Sequence, residues 1–122
     1  MSEFNLTFFP PEELAKLALP ENTHILNMEA RPYPDGRRVR LILEMTPFRV
    51  RPHIEILVTN AEGEEVASSS IIEPMSWKLE VTLHLRDGGG HNPYTMQARL
   101  FYPEGPEDAP QTVTFEALRT EA

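Results

Sequence analysis

Six arginines fall between residues 31 and 53: Arg31, Arg37, Arg38, Arg40, Arg49 and Arg51. Only Asp35 and Glu44 oppose them there, a local balance of +4, while the rest of the chain carries -12. A guanidinium offers a planar fork of donors that matches carboxylate and phosphate oxygens. The chemistry on offer is therefore recognition of an anion. If residues 37–46 form a strand, Arg38 and Arg40 share one face, because alternate strand residues point the same way. Arg31 would join them from the preceding strand, and His84 and Arg86 from a later one. These five, Arg31, Arg38, Arg40, His84 and Arg86, are the candidate set for a small anion or an acidic partner. Like charges across a sheet repel, which favours an anionic guest. The opposing reading is that Glu29 and Glu80 neutralise the same arginines within one solvated face.

Other chemistries find less support. The histidines His24, His53, His84 and His91 do not fall at the spacings that would pair them on one element, and a metal site needs three or four converging ligands. The aspartates Asp35, Asp87 and Asp108 form no calcium-loop pattern. Gly88-Gly89-Gly90 lacks the spacing of a phosphate-binding loop and no helix follows it. Ser68, Ser69, Ser70 and Ser76 lie outside any nucleophile elbow. Glu64 and Glu65 are adjacent, so in a strand they point to opposite faces and do not converge. With no cysteine, thiol chemistry and disulfides are excluded. The expectation is a non-enzymatic protein with no catalytic, cofactor or metal residue. A net charge of -8 argues against a general nucleic-acid binder. No apolar run approaches the ~20 residues of a membrane span. No secretory signal is visible, so cytoplasm is the default location.

The elements that must position these residues are announced by proline. The 12 prolines punctuate segments of period-2 alternation. Proline cannot donate to a sheet ladder and collects at strand ends. Seven strands are expected, over 24–31, 37–46, 53–60, 64–73, 77–86, 94–102 and 112–118. Val39, Leu41, Leu43 and Met45 should face inward, as should Ile54, Ile56 and Val58. The same holds for Leu79, Val81, Leu83 and Leu85, and for Tyr94, Met96, Ala98 and Leu100. In the first strand Leu26, Met28 and Ala30 share a face. Asn60-Ala61-Glu62-Gly63 reads as a hairpin turn. The loss of alternation at Ser68–Ser70 suggests a bulge or an edge strand. Pro11-Glu12-Glu13 starts a short helix over roughly 11–19, ended by Pro20. The organisation expected is an N-terminal extension over 1–22 with that helix, a β-sandwich over 23–118 and a tail over 119–122.

Seven strands with a hairpin between the third and fourth suit the order A-B-C-C′-E-F-G. The stretch Leu83-His84-Leu85-Arg86, then Asn92-Pro93-Tyr94-Thr95-Met96, resembles the E–F corner of fibronectin type III and bacterial immunoglobulin-like domains. The resemblance implies an immunoglobulin-like β-sandwich in which the Tyr94 hydroxyl bonds back to the loop before it, a tyrosine corner. Met96 stands where antibody-type domains carry their second disulfide cysteine. The sole tryptophan, Trp77, opens strand E rather than lying in strand C. Domains of this kind serve mostly as binding or spacer modules.

Two apolar surfaces follow from that order. Phe48 and Val50 lie in the loop between strands B and C. Leu57 and Phe101 take outward positions on the neighbouring strands C and F, which would make an apolar patch. Either the N-terminal segment covers the patch with Phe4, Phe8, Leu14 and Leu17, or a partner does. The partner would be another protein or a second copy in a homodimer. The leading expectation is a protein-interaction module working through the C–F face or the B–C end. A small-molecule or anion binder using the arginine face is the alternative.

Overall fold

The computed structural model describes residues 17–120. Seven strands follow one another: β1 (Ile25–Pro32), β2 (Arg38–Met45), β3 (His53–Thr59), β4 (Glu65–Ile72), β5 (Lys78–His84), β6 (Tyr94–Phe101) and β7 (Gln111–Phe115). They form two antiparallel sheets, ordered β1-β2-β5 and β4-β3-β6-β7. The expected strands are all present, with ends displaced by a residue or a few.

The alternation in the sequence is what builds the core. Val39, Leu41, Leu43 and Met45 of β2 are 0–1% exposed. Ile54, Ile56 and Val58 of β3 and Tyr94, Met96, Ala98 and Leu100 of β6 face them from the other sheet. Each large aliphatic side chain buried this way contributes roughly 1.5–3 kcal/mol. Central strands of both sheets therefore supply most of the fully buried side chains.

Three local expectations are corrected. Leu26 does not point inward: a bulge between Ile25 and Asn27 leaves it the odd residue, and it is 59% exposed while Ile25 is buried. The bulge re-aims one side chain because two residues oppose one on the partner strand. In β4 the irregularity falls at Val66, just before the serine run, since Val58 pairs with Ala67 and Thr59 with Glu65. β4 is indeed an edge strand. The helix expected over 11–19 lies largely outside the described residues. Its last positions, 17–19, are not helical: Ala18 makes a parallel bridge to Phe48, and a single 3-10 turn follows at Pro20–Asn22.

The chain after β7 is tied down. Asn92 holds Ala117 through both its amide groups, accepting from Ala117 N–H at 2.6 Å. Thr120 N–H donates to Pro34 at 2.8 Å, so residues 119–120, the described part of the expected tail, lie along the β1–β2 turn.

The Tyr94 hydroxyl reaches back across the β5–β6 connection. It donates to the Asp87 carboxylate at 3.0 Å and accepts from His91 N–H at 3.0 Å. Asp87 also accepts from Gly89 N–H and from Asn60 Nδ2. Asn60 in turn caps its own hairpin, its Oδ1 accepting from Glu62 and Glu64 N–H at 3.0 Å each. Two loops at one end of the molecule thus share a polar network anchored on one buried phenol. Burial alone pushes the Asp87 carboxyl up, but the hydrogen bonds from Gly89, Asn60 and Tyr94 outweigh it and hold it below the usual carboxylate range. Its stabilising contribution is therefore present above about pH 4 and lost as pH falls through the lower folded value. Tyr94→Phe strands the His91 N–H and one carboxylate site, at an expected cost of about 1–3 kcal/mol. Urea unfolding at pH 7 should show it as a lower midpoint with an unchanged slope.

Candidate functional site

The outer face of the β1-β2-β5 sheet carries most of the predicted anion set. Arg40 pairs across strands with Arg31 on one side and Thr82 on the other, and Arg38 sits opposite His84. Arg86 is not with them. β5 ends at His84, and Arg86 N–H donates to Val66 of β4, with its side chain 3.9 Å from Glu65. The chain has begun its turn toward the other sheet before Arg86 is reached.

Within the face each guanidinium already has a partner. Arg31 donates to Glu29 at 2.8 and 3.3 Å, and Arg38 to Asp35 at 2.7 Å. At the far end Lys78 meets Glu44 at 3.2 Å, as the register requires. Arg40 makes no ion pair among the described residues and instead donates through Nε and Nη2 to the Tyr33 hydroxyl at 3.3 and 3.2 Å. Tyr33 is the residue that sequence reasoning missed. Lying in the β1–β2 turn, it places its ring under Arg38 at 4.2 Å, and its hydroxyl meets Thr82 Oγ1 at 2.9 Å. The hydrogen bond to Thr82, then that from Arg40, holds the phenol below the ordinary tyrosine range. Prolines on both sides, directly ahead of an arginine-rich strand, were the available signal. A cleft of about 190 Å3 lies between Arg31, Tyr33 and Arg40.

The predicted apolar set is dispersed. Phe48 is fully buried, its ring edge-on to Trp77 with centroids 6.4 Å apart, so it belongs to the core. Val50 is half-buried against that core, and the Tyr102 hydroxyl donates to its carbonyl at 2.7 Å. Leu57 and Phe101 do both point outward, but they do not meet. Antiparallel register sets Leu57 opposite Gln97 and Phe101 opposite His53, with the Glu55–Arg99 pair between them. Phe101 packs on His53 and under the Arg99 guanidinium at 4.3 Å, while Arg99 also holds Glu107 at 2.8 Å.

The register instead produces a different surface. Ser68, Leu57, Gln97 and Thr112 stand in one row across all four strands of the larger sheet, and Thr59, Thr95 and Thr114 in the next, which ends at Glu65 on β4. None of the seven side chains before Glu65 is charged, in a chain whose residues are 25% charged. Charges surround them: Glu55, Arg99 and Glu107 on one side, Glu65 and Glu116 on the other. A separate cleft of about 400 Å3 opens at the end of the molecule between Arg51, His53, Glu73 and the 102–106 turn. Glu73 has φ 51 there. Sequence reasoning did not nominate this cleft, because its walls come from three separate connections.

Among the described residues no group of three or more His, Asp or Glu side chains is placed to hold a metal ion. No helix among them is long and apolar enough to cross a membrane.

No protein-family model matches the chain, and no curated protein matches it. Among solved structures, an FMN-binding beta-glucuronidase from Facaelibacterium prausnitzii L2-6 resembles 73% of this chain at 19% identity, with a TM-score of 0.45. The chain spans 14% of that protein's length, and a likeness of this size assigns neither fold family nor activity.

Proposed function

We propose that this chain is a non-enzymatic protein-interaction module, built on an immunoglobulin-like sandwich, whose docking surface is the outer face of the β4-β3-β6-β7 sheet. The sheet orders and the Tyr94 hydroxyl bond support that architecture. The observation that carries the function is the uncharged field centred on Leu57 and Gln97. Interface cores are depleted of charge while their rims are polar. Here the centre is Leu, Gln and small hydroxyl side chains, and the rim is mainly acidic. A second copy would bring the same acidic rim against itself. The partner that fits is a protein with a neutral centre and a lysine- or arginine-rich rim.

The test uses a protein captured on the intact chain and then purified. Leu57→Glu should weaken that pair at least tenfold, and salt should weaken the wild-type pair through the rim. Arg40→Glu should leave it unchanged. Loss on Arg40→Glu, with Leu57→Glu binding as wild type, would transfer the function to the Arg31–Tyr33–Arg40 cleft and an acidic guest.

A further inference from the structure

Two sheets present four edges, and three of them are blunted in recognisable ways. β1 carries a bulge at Leu26, ends in Pro32, and has its Ile25 carbonyl taken by Gln111 Nε2 at 2.7 Å. β7 is only five residues long and packs beside β1. β5 alternates Lys78, Glu80 and His84 along its exposed side. Bulges, short length, proline and charge are the devices by which proteins keep a sheet edge from pairing with another chain.

β4 uses them only at its beginning. Its first residue is Glu65, its bulge falls at Val66, and Arg86 covers these two positions through hydrogen bonds to both carbonyls. From Ala67 to Ile72 the strand reads Ala-Ser-Ser-Ser-Ile-Ile, with no charge, no proline and no bulge. Its inner side pairs with β3 throughout this stretch, and among the described residues no strand is hydrogen-bonded along its outer side, although β5 packs near it. The outward side chains there are Ser68, Ser70 and Ile72, and Ile72 is 66% exposed.

We infer that the Ala67–Ile72 edge pairs with the same edge of a second copy, antiparallel about a two-fold axis. The occupant follows from the chemistry of the edge. With the axis near Ser70, Ser70 meets its own counterpart and Ile72 meets Ser68 of the other copy, so no like charges face each other in the seam. The same operation on β5 would bring Lys78, Glu80 and His84 into the seam, where charged side chains resist burial. Main-chain hydrogen bonds supply the attraction, as in other cases of strand addition. Six residues of edge bury far less than the ~1,600 Å2 of a standard interface, so the dimer is weak and concentration-dependent. Pairing of this kind continues the uncharged outer face from one copy into the next, giving a partner two adjoining docking fields.

Sedimentation of the full chain over a range of concentrations tests it, together with amide exchange of residues 67–72. The expected result is a monomer–dimer equilibrium in which alternate amides of 67–72 gain protection as concentration rises. Ser70→Lys places two lysines at the axis and should raise the dimer dissociation constant at least tenfold. In the folded monomer that lysine lies beside Glu55 of β3, so the fold is retained. Ile72→Lys, at a 66% exposed site, should do the same. A monomer at every concentration overturns the inference. So does a dimer indifferent to both lysines, and so does full protection of these amides in the monomer, which would place another part of the same chain on the edge. Loss of the dimer on Ser70→Lys with partner binding through Leu57 intact separates this inference from the docking face.

Discussion

Phe48→Ala should lower the unfolding free energy by about 3–5 kcal/mol, the range for removing a fully buried aromatic side chain from a core that cannot collapse around the gap. The site is held from several sides. The ring has no solvent exposure and sits edge-on to Trp77, with their planes at 88°. The backbone around it is pinned as well: Ala18 N–H donates to Pro47 at 2.7 Å, and Arg49 N–H donates to Ala18 at 3.0 Å. With both neighbours bonded to another segment, the loop cannot slide inward to refill the space. Denaturant unfolding should show a much lower midpoint at an unchanged slope. Phe101→Ala is the matched comparison. That ring is only partly buried and rests on His53 and Arg99, so its removal should cost clearly less. Similar losses for the two variants would mean that Phe48 does not fill the core.

The second large effect is expected at Gly89. All three glycines of the 88–90 run have positive φ, between 81 and 84 degrees. An L side chain in that region costs roughly 1–2 kcal/mol at each. Space separates them. A Cβ at Gly88 or Gly90 meets nothing, whereas at Gly89 it would overlap the Gly36 carbonyl oxygen. Gly36 has little room of its own, because a Cβ built on it would lie 2.9 Å from the Arg119 backbone. Overpacking against backbone adds about 1–3 kcal/mol to the conformational cost. Gly89→Ala should therefore lose about 2–5 kcal/mol, against about 1–2 for Gly88→Ala or Gly90→Ala. Thermal melts of the three variants decide the matter. Equal losses would show that the β1–β2 turn and the β5–β6 connection are not in backbone contact.

These two cases show where local pattern stops informing. The glycine run reads from its composition as a permissive turn, and all three positions look alike. Only Gly89 is constrained, because the constraint comes from residues 36 and 119, far away in sequence. Phe48 sits in a loop between two prolines, at Pro47 and Pro52, and no periodicity marks it as inward. Its burial follows from which segments close over the end of the core.

The arginine face divides the same way. Arg38 and Arg40 share a face by parity alone, and Glu44 finds Lys78 because β2 and β5 run antiparallel. The role of Tyr33 depends on how the turn folds over the sheet. Leu57 and Phe101 lie on adjacent strands, as the alternation implied, yet four residues of register separate their rows.

What the sequence determined by itself was the number of strands, which residues alternate inward, and where each strand must stop. Those are properties of a residue and its near neighbours: side-chain parity, β-branching, and the missing N–H of proline. Tertiary structure alone decided the register that spaced Leu57 from Phe101 and the bulge that turned Leu26 outward. It also decided the loop closure that buried Phe48 and, among the described residues, which sheet edge carries the fewest guarding features. Each depends on two segments at once, and a one-residue slip in either would exchange the buried and exposed faces of a whole strand.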